Sequence, residues 1–285
     1  MITQVSGAAL AAYAGDLQGN LWKFNLTGTP DTWNASAGGA LPAYGGAPGK
    51  PMFVATSPTG ARQPITMQPQ VVYAPAGYMV LFGTGKYYEL ADTNAATAQT
   101  NSFYGIYDGG GTNYVSDRSK LNKLTLSYYD SGKSIQYSGS AAAPGYVAPR
   151  KPGWVIDFLD TTERQITSAV VSGGLVYFNS IYTATGTCGT SGGSRSYALN
   201  TLTGLPTLGI SGYLSTIGLL GAPSIIITNV TVGARDSVGG LPQTTRTQVI
   251  GFGTSGAATT SPPLDSNSRP GRTSWREVRN FTIAN

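Results

Sequence analysis

An all-β fold of propeller type is what this sequence predicts, and three observations predict it. The 285 residues include 39 Gly, 17 Pro and 17 Tyr. Charged residues make up 11%, against about 25% in an average soluble protein. That mixture favours strands and turns over helices. Hydrophobic residues reach 40% and fall in strand-length runs, which separates the chain from a disordered one. The runs come in groups of three or four that recur at roughly 40–60 residues, the rhythm of propeller blades rather than of a sandwich. No stretch carries a helical period. The pattern predicts one propeller domain over residues 1–285, with about four blades in a ring that need not close.

The unit that organises the rest is YAGDLQGNLWKFNL (13–26). Gly15 to Asn20 supply turn chemistry, because Asp and Asn bond their own backbone and Gly accepts positive φ. Asp16 is the expected turn cap. Leu21 then alternates with Lys23 and Asn25, and Trp22, Phe24 and Leu26 form an apolar stripe on the opposite face. Such a hairpin needs a second sheet to cover that stripe. Residues 27–50 read as a loop with Trp33 as its large apolar group, and 52–57 as a short strand. Residues 64–69 are an extended, proline-bounded segment. Strands at 71–73, 78–82 and 86–90 follow, then 103–107. Residues 121–129 and 133–137 make a hairpin, and 141–152 a linker-like loop. Strands at 153–159, 164–167, 169–171, 175–180 and 195–199 come next, closed by the turn at 200–204. Two long strands (224–232 and 244–252) surround a polar loop, and 272–279 alternates around Trp275.

The chemistry available to this chain is narrow. There is no histidine, which removes Ser-His-Asp and Cys-His arrangements, histidine metal sites and the usual base near neutral pH. Cys188 is the single cysteine, so no internal disulfide and no cysteine zinc site forms; a partner outside the chain and a free thiol both remain open. Gly83-Thr84-Gly85-Lys86 fails the phosphate-loop pattern, because Val80 and Tyr87 stand where Gly and Ser or Thr are needed. That segment reads as a turn, with Lys86 solvated. Among 13 carboxylates the densest group is Asp157, Asp160 and Glu163. Asp157 and Asp160 could attract a cation or act as an acid–base pair. The structural reading is that Asp160 starts a turn and Glu163 makes a surface pair with Arg164, worth little. Asp92, Asn94, Asn101 and Asp108 carry oxygens for a weak metal loop, but at no recognised ligand spacing. No catalytic, cofactor or metal residue is assigned.

The net charge of +5 is scattered apart from Arg269, Arg272, Arg276 and Arg279, so it makes no nucleic-acid stripe. No apolar run is long enough to span a membrane as a helix. After Met1 there is neither a charged region nor a long apolar core, so an export signal is expected on sequence beyond these residues. Tyrosines crowd the middle third: Tyr73, Tyr78, Tyr87, Tyr88, Tyr104, Tyr107, Tyr114, Tyr128, Tyr129 and Tyr137. Strand parity sends half of them inward, and the rest offer a contact surface for protein or glycan. The expected binding loops are 25–49, 91–102, 107–120 and 182–195.

Seven segments in order carry a family resemblance: YAGDLQGNLWKFNL (13–26), PITMQPQVVY (64–73), VLFGTGKYYE (80–89), SFYGIYD (102–108), GWVIDFLDTTERQIT (153–167), SYALNTLTG (196–204) and TSWREV (273–278). Each resembles the matching stretch of the C-terminal domain of type IV pilus tip-associated adhesins, the PilC/PilY family. The resemblance implies a modified β-propeller at the pilus tip or outer surface, associated with the outer membrane. It implies a non-enzymatic role in pilus assembly and adhesion through minor pilins and opposition to retraction, and so in twitching motility, with a host or surface ligand in addition. It further implies that the chain is the C-terminal part of a longer protein, or a short homologue closing with fewer blades. Many members carry an aspartate-rich calcium loop before the YAGD strand. Residues 4–12 here read QVSGAALAA, without a carboxylate, so calcium control at that place does not carry over. The rival readings are a quinoprotein-like propeller enzyme and a filament-forming scaffold module.

Overall fold

The computed structural model describes residues 2–3, 9–27, 51–94, 98–110, 115, 117–130, 134–183, 192–206, 210–231 and 243–260. Four strands form the first sheet: β1 (Ile2–Thr3), β2 (Ala9–Gly15), β3 (Asn20–Asn25) and β4 (Phe53–Val54). A second meander is built from β5 (Gln70–Ala74), β6 (Gly77–Gly83), β7 (Ser102–Asp108) and β10 (Gly153–Asp157), all antiparallel. A third contains β11 (Val170–Ser172), β12 (Leu175–Thr183), β13 (Gly192–Asn200) and β14 (Ile210–Leu214). The last sheet holds β15 (Ser224–Thr231), β16 (Gln243–Phe252) and β17 (Ala258–Thr260).

One hairpin modifies this blade pattern. Strands β8 (Asn122–Tyr129) and β9 (Ser134–Ser138) pair with each other. Strand β8 then runs parallel to β10, and β9 pairs antiparallel with β14. The hairpin therefore bridges the edges of two meanders and fuses them into one sheet of ten strands. It fills backbone donors and acceptors that an exposed edge would leave open.

Side-chain alternation explains why the sheets stack in chain order. Val80, Phe82, Tyr104, Ile106 and Val155 face the first sheet, where they bury Leu21, Met52, Phe53 and Ala55. Met79, Leu81, Phe103, Trp154 and Ile156 point the other way, against Val176, Phe178, Tyr197 and Leu199 of the third meander. Phe103 stacks on Phe178 at 3.9 Å between ring centroids, and Phe178 on Tyr197 at 4.8 Å. Leu175 and Tyr177 then meet Val249 and Ile225 of the last sheet. Strands buried on both faces read as continuous apolar runs, as YMVLF and FYGIY do. Trp154 sits between two glycines. A Cβ on Gly105 would lie 2.5 Å from its ring, and one on Gly204 2.6 Å from it, with φ +73° at Gly204.

Several expectations need correction. Residues 86–90 are not a strand. Asp92 accepts from the backbone N–H groups of Tyr88 and Glu89 and closes a 3-10 turn at Leu90–Thr93. Residues 164–167 contribute only a bridge between Arg164 and Ile181. The face of β3 that is fully buried belongs to Leu21; Trp22, Phe24 and Leu26 are half-buried. Strands β14 and β17 fall where no strand was expected. The stretch 141–152 is a loop as expected, pinned by a bridge between Pro144 and Lys151. Trp33, Tyr114, Cys188, Trp275 and the four tail arginines lie outside the described residues.

Candidate functional site

The carboxylates are engaged one by one. Asp16 accepts the backbone N–H of Gln18 and Asn20 at 2.9 Å each. Its other oxygen accepts the Asn20 amide and the Trp22 indole at 2.8 Å each. Burial raises its pKa, but these four donors outweigh burial and the net shift is downward. The turn cap read from the sequence is therefore present. Asp108, fully buried, accepts from the Tyr13 hydroxyl and pairs with Lys23 at 2.5 Å, tying the second sheet to the first.

Asp157 and Asp160 do not form an acid–base pair, because each is held by a different arginine. Arg118 Nη2 reaches both Asp157 oxygens at 2.5 and 2.6 Å, and Ser102 donates to the same carboxylate at 2.7 Å. The same guanidinium donates to the Tyr104 hydroxyl at 3.0 Å. Burial pushes the Tyr104 phenol up to about 12. Asp160 pairs with Arg195, which also donates to Tyr128 at 2.9 Å.

Glu163 is the largest departure from expectation. It is fully buried and does not pair with its neighbour Arg164. It accepts from Ser180 and Arg195 at 2.5 Å each and from Tyr197 at 2.6 Å. The Arg195 guanidinium lies 4.1 Å over the Tyr182 ring. Burial moves the Glu163 pKa upward, against the opposing pull of Arg195, Ser180 and Tyr197. Extended-chain neighbours point to opposite faces, so Arg164 leaves this core on the other side.

There Arg164 lines a cleft of about 230 Å³ with Lys86, Asp92, Asn94, Gln99 and Asn101. Three polar residues of the conceived metal loop thus meet here, whereas Asp108 belongs to the Lys23 contact. Among the described residues no group of three or more carboxylate or thiol side chains is placed to hold a metal ion. Arg164 Nε donates to the Thr162 carbonyl at 3.0 Å, and Nη1 to the carbonyls of Lys86 and Asp92 at 2.9 and 2.7 Å. Burial lowers its pKa. Lys86 is not simply solvated: it pairs with Glu89 at 3.1 Å and Asp92 at 3.2 Å. The sequence reading missed Arg118, Arg164 and Arg195 as organising residues. Their long side chains act across non-local contacts that no spacing announces.

The tyrosines do not divide evenly as parity suggested: Tyr78 and Tyr137 are half-buried, and the adjacent Tyr128 and Tyr129 of β8 are both exposed. Tyr104 and Tyr107 are buried, while Tyr73, Tyr87, Tyr88, Tyr128 and Tyr129 are exposed. Tyr213 joins the exposed set, in register with Ser134 across from Tyr129.

Comparison with known proteins fits this geometry. The profile of the PilY1 beta-propeller domain matches residues 3–125. A type IV pilus biogenesis factor PilY1 homolog of Xylella fastidiosa is 34% identical over 223 residues, 73% of this chain. The type IV pilus biogenesis factor PilY1 of Pseudomonas aeruginosa PAO1 is 30% identical over 229 residues, 70% of this chain. The crystal structure of the Pseudomonas aeruginosa PilY1 C-terminal domain is similar over 90% of this chain, with a TM-score of 0.60 and 26% identity. The chain belongs to the PilY1 β-propeller family. It spans 14% and 20% of the two curated relatives and 58% of the solved PilY1 domain. A likeness that covers 90% of the chain extends well past residue 125, where the family profile ends.

Proposed function

We propose that this chain acts in type IV pilus biogenesis as the docking propeller of a PilY1-type protein, working by contact rather than by chemistry. The observation that carries this reading is the likeness to the PilY1 C-terminal domain over 90% of the chain. The fate of the carboxylates supports it: Asp16, Asp108, Asp157, Asp160 and Glu163 each serve to fix turns or sheets. The partners in this reading are minor pilins at the pilus tip, at the cell surface. Binding there supports assembly and opposes retraction, and exposed tyrosines supply adhesive contacts. Deleting the gene tests it. Loss of surface pili and of twitching, restored by the wild-type gene, is the expected result; normal piliation in a clean deletion rejects the reading.

A further inference from the structure

We propose that the cleft at Arg164 captures a carboxylate, presented by an acidic side chain of a partner protein. Among the described residues, every other arginine or lysine that is not exposed has its own carboxylate. Lys23 has Asp108, Lys86 has Asp92, Arg118 has Asp157, and Arg195 has Asp160 and Glu163. Arg164 is 6% exposed and, among the described residues, pairs with no carboxylate within 4.0 Å. Its Nε and Nη1 are bound to carbonyls, and Nη2 donates to no described residue. The Asp92 carboxylate acts on Arg164 through space but is paired with Lys86, so two cations share it and the deficit that remains is one an incoming anion reduces.

The surroundings select the anion. The Tyr87 ring lies 5.4 Å from the Arg164 guanidinium carbon and steadies its plane. Lys86, the Asp92 carboxylate and the Gln99 and Asn94 amides line the same cleft, with Gln99 Nε2 donating to the Arg62 carbonyl at 2.6 Å. A planar carboxylate suits an arginine with a neighbouring amide donor better than a spherical ion does. At about 230 Å³ the space is below that of a typical drug-sized site and admits one side chain. Asp92, Asn94, Gln99 and Asn101 of the cleft lie within the 91–102 stretch expected to bind, and the net charge of +5 draws acidic partners toward the chain. That the carrier is a protein rests on the docking reading above; capture of a carboxylate does not.

The test uses the purified 285-residue chain, isotope-labelled, titrated with the capped tripeptide Gly-Glu-Gly, its Gly-Gln-Gly counterpart and glucuronate. The Glu peptide is expected to shift the Arg164 Nε–H and Gln99 side-chain resonances to saturation, and the Gln peptide to bind at least tenfold more weakly. Arg164→Lys should weaken Glu-peptide binding about tenfold, and Lys86→Gln, which leaves the buried arginine in place, several-fold. Absence of shifts at the cleft, or equal response to both peptides, overturns the proposal. Glucuronate binding tighter than the Glu peptide overturns the protein carrier. Piliation reads out separately: a deletion with normal pili leaves this titration unchanged.

Discussion

Asp16 and Glu163 show two uses of a carboxylate in a chain with few of them. Asp16 gathers four donors at a half-exposed turn, so Asp16→Ala should lower stability by about 2 kcal/mol, measured by urea denaturation. The folded pKa of Asp16 lies below its ordinary 3.8. Its contribution is therefore present above pH 3.8 and disappears as pH falls through the folded value. The acid limb of a stability–pH curve should be shallower in Asp16→Asn than in wild type. Glu163 has the opposite sign. Its folded pKa is raised from 4.5, so its contribution weakens as pH rises from 4.5 through the folded value. Breaking the buried pair with Arg195→Met should cost about 3–5 kcal/mol, because it leaves a buried charge uncompensated. The double change Glu163→Gln with Arg195→Met should recover part of that loss in a denaturation cycle.

At the scale of elements, hairpins were legible and long-range pairings were not. The β2–β3, β5–β6, β8–β9 and β11–β12 turns announce themselves through Asp, Asn, Gly and the apolar runs beside them. The cap in the 200–204 turn is likewise local: Asn200 accepts from the backbone of Leu202 and Thr203. The parallel pairing of β8 with β10 is absent from local sequence, since nothing in either strand specifies its neighbour or its direction. The Leu21 face was misjudged because Trp22 and Phe24 are larger, whereas the neighbouring sheet meets Leu21 and draws Lys23 in through Asp108. Arg164 and Glu163 were misread as a pair because adjacency in sequence means opposite faces in extended backbone. Gly105 tests the packing of these elements. Gly105→Ala drives a methyl into the Trp154 ring and should destabilise by about 1–3 kcal/mol. Altered emission from the buried tryptophan in the folded state should accompany it.

At the scale of the molecule, both faces of each middle sheet are occupied by the next sheet along the chain. That arrangement was legible, because apolar runs without alternation demand cover on both sides. The organising arginines were not, because their contacts span 39 residues from Arg118 to Asp157, 35 from Arg195 to Asp160 and 72 from Arg164 to Asp92, where spacing carries no signal. A stack of sheets pinned by internal ion pairs holds the exposed tyrosines of its strands, Tyr128 and Tyr129 on β8 and Tyr213 on β14, in fixed places, which lowers the entropy lost on binding. Under the proposed function, that surface works by contact with other pilus components. The most direct measurement mixes the purified chain with minor pilins lacking their membrane helices and follows the mixture by size-exclusion chromatography with light scattering. Co-elution as a stoichiometric complex, weakened when Tyr129 and Tyr213 become serine in a protein of unchanged stability, is the predicted result. Separate elution of every minor pilin tested, with the chain folded throughout, would contradict the account.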